Sequence, residues 1–165
     1  MATQYGVKAK KALGQHFLTD ESIARRIVES LLFPGDCNGN RTGNVVCNNK
    51  QQEESQKSSP DKMQVLEIGP GTGVLTKYLL QDERIKLEVA EIDTESIEYL
   101  QKTYPQLLYS LQQRDFLQIP LEKIFAGEFA VIGNFPYNIS SQIFFKVLDY
   151  KETIPQVVCM LQKEV

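Results

Sequence analysis

The chain has 165 residues, 42% of them hydrophobic, which suits one globular domain with a substantial core. Its net charge of -3 excludes a nucleic-acid binder that works through overall positive charge, so any RNA contact must be local. Three cysteines without a C-x-x-C pair and a single histidine suggest neither a disulfide framework nor a zinc site, and they fit a reducing cytoplasm.

The sequence contains no run of about eighteen apolar residues and no charged-then-apolar leader, which argues against a membrane span or a secretion signal. Residues 1–34 are predicted to form a basic arm and a helix. The arm carries Lys8, Lys10 and Lys11 and has no acidic residue before Asp20. This charge indicates local RNA contact or, equally well, a soluble N-terminal tail.

An amphipathic helix is predicted directly after the arm. Thr19 or Asp20 can cap its first turn, and Pro34-Gly35 ends it. Its apolar positions recur every four residues at Ile23, Ile27 and Leu31. Residues 35–62 then change to Asn, Gln, Ser, Gly and Lys, which predicts a flexible polar insertion. A linker between two domains is the alternative, but the residues before it are too few for an independent core.

Strands and helices alternate over residues 63–165. Strands are predicted at Val65–Ile68, Lys86–Ile92, Leu107–Gln112, Phe129–Gly133 and Gln156–Leu161. Helices are predicted around Val74–Leu79, at Thr94–Lys102 and at Ile139–Leu148. This alternation predicts an α/β fold with a mainly parallel sheet, whose ligands bind at the carboxyl ends of the strands.

Polar residues follow four of the predicted strands. They are Glu67 and Gly69 at the end of the first strand, Glu91 and Asp93 at the end of the second, Asp115 after the third and Asn134 after the fourth. Each acid alone is readily explained as a solvated loop carboxylate or a helix cap. Because the ends of parallel strands meet at one edge of the sheet, the set as a whole predicts a single cleft.

The glycine-rich loop from Gly69 to Gly73 narrows the choice of cofactor. Val74 or Thr76 occupies the third glycine position of a dinucleotide fingerprint, and no G-K-[ST] follows, so both common phosphate loops are excluded. Glycines at Gly69 and Gly71 let the backbone approach a ligand, and the preceding Glu67 can pair with an ammonium group.

The acid that ends the second strand indicates a ribose. Glu91 lies 22 residues after Gly69, close to the spacing at which such an acid accepts from ribose hydroxyls. A ribose together with an amino-acid end predicts S-adenosylmethionine. Asp115 would then reach the adenine amine, with Phe116 as an apolar wall; a cap on the segment that follows is the alternative role for Asp115.

The tetrapeptide Asn134-Phe135-Pro136-Tyr137 is predicted to hold the group that is methylated. Its amide and phenol need hydrogen-bond partners, so it is poorly suited to a core and well suited to gripping a planar amine. An ordinary strand-to-helix turn is the alternative. We expect Asn134 and the Pro136 carbonyl to accept the two N–H bonds of an adenine amine and Tyr137 to stack on the base.

The sequence resembles the ribosomal RNA adenine dimethyltransferases that modify two adjacent adenines of small-subunit rRNA. The resemblance rests on Leu13–Leu18, Leu66–Gly73, Glu91–Asp93, Arg114–Phe116, Gly133–Ser140 and Met160–Val165. It implies a Rossmann-like class I methyltransferase fold and cofactor contacts at His16, Leu18, Gly69, Glu91, Asp115 and Asn134. His16 stands where many members have Asn, and Phe135 stands where Leu is usual.

The resemblance also implies a partner and leaves two rivals. The partner is small-subunit rRNA in the assembling 30S particle, bound by a cytoplasmic monomer. The rivals are the large-subunit enzymes that confer macrolide resistance and a non-catalytic ribosome-assembly module. Because family members continue with further strands and a helical domain, we expect this chain to be a fragment that carries the chemistry and lacks part of the RNA-selecting surface.

Overall fold

The computed structural model describes residues 3–4, 6–10, 13–15, 17–34 and 62–161. The polar insertion predicted at 35–62 lies outside the described residues except for Lys62, and so does His16. None of the helices in the described ranges has the length and apolar character needed to cross a membrane.

Seven strands and four α-helices make up the described chain. The strands are β1 (Thr3–Gln4), β2 (Val7–Lys8), β3 (Met63–Ile68), β4 (Ile85–Glu91), β5 (Leu111–Gln113), β6 (Ala130–Asn134) and β7 (Gln156–Met160). The α-helices are α1 (Glu21–Glu29), α2 (Thr76–Leu79), α3 (Thr94–Thr103) and α4 (Ser140–Asp149). Short 3-10 helices occupy Pro105–Leu107, Phe116–Gln118 and Leu121–Lys123.

The main sheet is fully parallel, with strand order β5-β4-β3-β6-β7. In the middle of the sheet, Val65 of β3 pairs with Leu87 of β4 on one side and Ala130 of β6 on the other. β1 and β2 form a separate antiparallel pair in the N-terminal arm. The predicted parallel α/β architecture is therefore confirmed, and its strand ends meet at one edge.

The sheet is buried on both faces because its central strands are apolar at consecutive positions. Val65 and Ile132 face a core shared with α1 and α2, where Ala24 and Leu79 are almost completely buried. The neighbouring residues on these strands face a second core against α4 and the 3-10 helices; it includes Leu66, Val131, Ile143, Phe116 and Phe125. One face of the sheet thus packs against α1 and α2, and the other packs against α4 and the 3-10 helices.

Local signals predicted the starts of α1 and α3 correctly, but α1 ends five residues before the predicted stop at Pro34. Asp20 accepts hydrogen bonds from the Ser22 and Ile23 amides at 2.8 and 3.2 Å, as expected for an N-cap. Asp93 caps α3 through the Ser96 amide at 3.2 Å. α1 ends at Glu29, before Pro34. The periodicity predicted that Ile23 would be buried, but Ile23 is 38% exposed and the next residue, Ala24, is buried instead.

The predicted strand at Leu107–Gln112 is wrong in its boundaries. Leu107 ends a 3-10 helix, and the strand itself is only Leu111–Gln113. The side chain of Leu107 is fully buried, whereas Leu108 and Tyr109 are 59% and 93% exposed. This apolar run is therefore a turn anchored by one leucine, and the short edge strand begins after it.

Candidate active site

A cavity of about 280 Å³ lies at the carboxyl ends of β3, β4, β5 and β6. Its lining comes from arm residues 13–15, 17 and 18, the glycine loop after β3, the end of β4, the turn after β5 and the segment after β6. The strand order brings these segments together although they are far apart in sequence. The predicted convergence of the strand ends on one cleft is thus present in the structure.

The glycine loop forms the floor of this cavity. Gly71 has a φ of 57°, in the left-handed region, and a Cβ atom there would lie 3.1 Å from the Phe17 ring. Its N–H donates to Oε2 of Glu91 at 3.1 Å. The absence of a side chain at Gly71 thus lets the aromatic ring of the arm pack directly on the loop, while its amide ties the loop to the end of β4.

Glu91 is held by three backbone amides. Besides the Gly71 N–H on Oε2, the N–H groups of Ile92 and Asp93 donate to Oε1 at 2.8 and 2.9 Å. Burial raises the pKa of the Glu91 carboxyl, and these backbone hydrogen bonds oppose the rise. Three donors fix the orientation of the carboxylate before any ligand arrives, and Oε2 retains a lone pair for one hydroxyl donor.

Glu67 presents the opposite arrangement. Its side chain is 1% exposed; Oε2 accepts from the Thr76 hydroxyl at 2.7 Å, and Oε1 has no hydrogen-bond partner among the described residues. Burial raises the pKa of Glu67 to about 8. An unpartnered buried carboxyl oxygen in the wall of a cavity is costly unless a ligand donates to it. The residues present therefore fit a cofactor with a cationic amine.

Asn134 and Pro136 bring the predicted amine-binding segment to the same cavity. Asn134 is the last residue of β6, and the Phe135 N–H donates to the Met160 carbonyl at 3.2 Å, so β7 supports the segment. The Phe135 ring is 3% exposed and packs edge-on against Phe144 of α4 at 5.8 Å. Pro136 already accepts from the Ile139 N–H at 3.3 Å.

Asp115 has the capping role that was one of its two predicted alternatives, and its position leaves the predicted adenine contact open. Its Oδ1 accepts from the Leu117 N–H at 2.9 Å and caps the 3-10 helix Phe116–Gln118. The same residue lines the cavity together with Phe116, which is 3% exposed. A cap that uses one oxygen orients the carboxylate and still leaves it at the cavity wall.

The N-terminal arm closes one side of the cavity. Lys10 forms an ion pair with Asp93, whose side chain is buried, and its Nζ lies 3.4 Å from Glu95. A Cβ at Gly14, which has a φ of 62°, would overlap Oδ1 of Asn138, so the arm packs closely on the segment after β6. Burial works against ionisation of Asp93, and the hydrogen bonds from Lys10 and Ser96 outweigh it and lower the pKa.

A family model described as ribosomal RNA adenine dimethylase matches residues 6–165. The chain belongs to this family. A protein named ribosomal RNA small subunit methyltransferase A from Cytophaga hutchinsonii is 50% identical over 159 residues, which cover 96% of this chain and 52% of that protein. The protein of the same name from Parabacteroides distasonis is also 50% identical, with 96% and 50% of the two chains covered. The chain thus spans about half the length of the curated relatives it matches.

Solved structures place this dimethylase-family chain in a methyltransferase fold. The 23S rRNA methyltransferase ErmE matches 90% of the chain and 49% of its own length with a TM-score of 0.58 and 24% identity. A dimethyladenosine transferase from Plasmodium falciparum matches 90% of the chain and 44% of its own length with a TM-score of 0.56 and 26% identity. The expected Rossmann-like methyltransferase fold is therefore confirmed.

Most of the predicted site residues of this dimethylase-family chain share the cavity. Those that line it are Leu18, Glu67, Gly69, Gly71, Glu91, Asp115, Asn134 and Pro136. Tyr137 is absent from the lining; its side chain is 39% exposed beside the neighbouring cavity residues Pro136 and Asn138. The predicted contact at His16 lies outside the described residues. The roles assigned to these residues stay predictions.

Sequence reasoning missed two supports of the site. Thr76 is fully buried and donates to Glu67, and Lys10 binds Asp93 across 83 positions of sequence. Both residues are plain in the sequence: Thr76 stands three positions after the last glycine of the loop, and Lys10 is one of the lysines of the arm. Nothing local identified them as partners, because the contacts arise only when the arm and the loop fold onto the strand ends.

Proposed function

We propose that this chain carries the methyl-transfer site of an enzyme that dimethylates the exocyclic amines of two adjacent adenines near the 3′ end of small-subunit rRNA. The observation that carries the proposal is that Asn134 and Pro136 line the same cavity as Glu67, Gly69 and Glu91. An acceptor pair for an amine therefore lies beside a site built for a cofactor. Membership of the dimethylase family and the names of the bacterial relatives support the choice of substrate.

Three parts of the cavity are assigned to three parts of S-adenosylmethionine. The unpartnered oxygen of Glu67 accepts from the amino-acid ammonium, and Glu91 accepts from the ribose through Oε2. Asp115 and the buried Phe116 hold the adenine at the end of β5. Leu18 lines the cavity and is assigned a cofactor contact, and the family resemblance assigns a further contact to His16. When bound, this cofactor supplies an electrophilic methyl group on a sulfonium.

The protein's own contribution is positioning and charge. An adenine amine is a weak nucleophile because its lone pair is delocalised into the ring. The Asn134 side-chain oxygen and the Pro136 carbonyl accept its two N–H bonds, which localises the lone pair and aims it at the methyl carbon. Tyr137, which is 39% exposed and lies in sequence between the cavity residues Pro136 and Asn138, stacks on the flipped base and offsets the cost of unstacking.

The second methyl transfer has one N–H fewer, so one acceptor must give up its bond. Pro136 meets that requirement, because its carbonyl also accepts from the Ile139 N–H at 3.3 Å. When the monomethylated amine turns, the proline carbonyl keeps a hydrogen bond inside the protein. We therefore assign the retained contact in the second step to Asn134.

The proposed function also includes a partner and a cellular compartment. We assign small-subunit rRNA in the assembling 30S particle as the partner, because the matched relatives are named for that subunit. The chain is proposed to act as a monomer in the cytoplasm, in line with three cysteines that form no C-x-x-C pair.

The proposal is tested with cofactor binding and methyl transfer measured separately. Asn134→Ala is expected to reduce transfer from labelled S-adenosylmethionine to undermethylated small subunits by about a hundredfold or more, because a transition-state acceptor is lost. Binding of the cofactor, measured by calorimetry, is expected to fall much less. Gln81→Ala, an exposed amide outside the cavity, is the matched control.

Large subunits and free rRNA serve as competing substrates in the same assay. If large subunits are labelled in preference to small subunits, the substrate is large-subunit rRNA and the proposed substrate is wrong. Cofactor binding without labelling of any particle would support a non-catalytic module, and an Asn134→Ala variant with normal turnover would contradict the mechanism.

A further inference from the structure

Lys146 of α4 makes contacts that the proposed mechanism does not use. Its Nζ donates to the Phe116 carbonyl at 2.7 Å and to the Ile119 carbonyl at 2.6 Å. The ammonium also lies 4.9 Å from the centroid of the Phe116 ring. One half-buried cation thus holds both ends of the 3-10 helix that follows Asp115.

The segment that Lys146 holds forms one wall of the cavity. Asp115 and Phe116 line it, and Asp115 caps the 3-10 helix through the Leu117 amide. Short helices of this kind have poor internal hydrogen-bond geometry and leave their C-terminal carbonyls to external donors. Lys146 shares the Phe116 carbonyl with the Ile119 N–H, which donates to it at 3.2 Å, and it supplies the Ile119 carbonyl with a donor. It therefore has a large share in fixing where the Asp115 carboxylate points.

The helix that carries Lys146 comes from the opposite wall. α4 begins at Ser140, three residues after Tyr137, and Phe144 on it packs against the buried Phe135 ring. A single helix therefore contacts the amine-binding segment through its first half and the Asp115 turn through Lys146. The distance between the two walls depends on this helix.

The charge of Lys146 is retained at a cost. Its burial lowers the pKa of the ammonium, and the nearby carboxylates of Asp115 and Glu122 oppose that shift. A lysine on the outer face of a helix is ordinarily solvated, so a half-buried one with two carbonyl partners indicates a specific contact.

We propose that Lys146 is a positioning residue that holds the Asp115–Ile119 turn at the distance from Asn134 and Pro136 that the adenine end of the cofactor requires. The inference rests on the proposed function, because it takes Asp115 as the adenine contact. Lys146 itself touches neither cofactor nor substrate; it acts through the Phe116 and Ile119 carbonyls.

The test compares Lys146→Met with Lys146→Arg and with Lys151→Met, an exposed lysine just after α4. Methionine keeps the length and packing of the side chain and removes the donors. We expect the dissociation constant for S-adenosylhomocysteine to rise about 10- to 100-fold in Lys146→Met, the range for loss of charge-assisted hydrogen bonds. Lys146→Arg is expected to stay within about threefold of wild type, because it keeps charge and donors.

Amide hydrogen exchange of the ligand-free protein gives a second readout that does not depend on activity. The amides of Leu117, Gln118 and Ile119 are bonded within the turn, and they should exchange faster in Lys146→Met. The amides of β3 and β6 should be unchanged. Faster exchange spread equally over β3 and β6 would show general destabilisation and overturn the proposal, and so would unchanged affinity in Lys146→Met.

Two further outcomes are separated by design. If Lys146→Met does not fold, Lys146→Leu, which also lacks the donors, is held to the same two criteria. If the wild-type protein binds no S-adenosylhomocysteine, the proposed function fails, and local exchange of residues 117–119 still decides whether Lys146 holds the turn.

Discussion

The ends of β3 and β4 each place a buried glutamate beside the cavity, and the two carboxyls are treated in opposite ways. Glu91 accepts three backbone amides, whereas Glu67 accepts one hydroxyl and has an oxygen without a partner in the described structure. The first carboxylate is oriented by the protein alone. The second remains unsatisfied until a donor binds, so the comparison separates a preorganised contact from one that a ligand must complete.

The largest effect is expected at the preorganised glutamate. Glu91→Ala removes the acceptor of three backbone N–H groups and should lower the free energy of unfolding by about 3–5 kcal/mol, because each unsatisfied buried donor costs about 1–3 kcal/mol. Urea denaturation measures the change. Glu88→Ala, on the same strand with only a 3.4 Å contact from the Gln112 amide, should cost less than about 1 kcal/mol. Equal free energies of unfolding for the two variants would show that the three amide contacts of Glu91 do not stabilise the fold.

Glu67 is expected to give a smaller, pH-dependent effect. Its pKa is about 8 in the folded protein against an ordinary value of 4.5. A raised carboxyl pKa means that the folded state keeps a proton that the unfolded chain releases, so this contribution to stability is present below pH 4.5 and is lost as the pH rises to about 8.

Glu67→Gln should remove that slope. Over this window the ligand-free wild-type protein should lose up to about 1.4 kcal/mol per pH unit from this group. Urea unfolding at several pH values compares the two proteins. Parallel pH profiles for wild type and Glu67→Gln would show that Glu67 is ionised without a ligand and would contradict the contrast with Glu91.

The smallest effect is expected at the arm. Lys10→Met removes the ion pair with Asp93, which is half in solvent on the lysine side, so the fold should persist. Cofactor affinity should fall only about two- to fivefold, because neither residue lines the cavity and Asp93 keeps its hydrogen bonds from the Ser96 amide and hydroxyl. Exchange at the Gln15 amide, which donates to the Lys10 carbonyl at 3.3 Å, should rise. The wild-type affinity should decrease with added salt towards the Lys10→Met value, and identical salt dependence in both proteins would contradict a role for this ion pair.

Local patterns predicted much of this molecule. Asp20 and Asp93 cap the helices expected after them, and the apolar runs around Leu66, Val89 and Val131 form the buried parallel strands. The strand-end rule was sufficient to bring Asp115 and Asn134 to one cavity. The predicted strand boundary was wrong where an apolar run, Leu107 to Tyr109, is a turn with one buried anchor.

Contacts between distant segments were not predicted. Lys10 meets Asp93 across 83 positions and Lys146 meets Phe116 across 30, and neither spacing has a local signature. Lys10 is one of three lysines in the arm and Lys146 is the one lysine of α4, but no residue close to either lysine in sequence identifies its acceptor. Selecting it requires the packing of the arm and of α4 on the strand ends.

The sequence by itself determined the order of strands and helices, the glycines of the loop and the placement of polar residues after four strands, because these depend on periodicity and on backbone preferences within a few residues. Only the tertiary structure decided which carboxyl is satisfied by the protein and which awaits a ligand. The reason is that burial and hydrogen-bond partners belong to the folded surroundings: Glu67 and Glu91 both end apolar strands in sequence, yet one meets a single hydroxyl and the other three backbone amides.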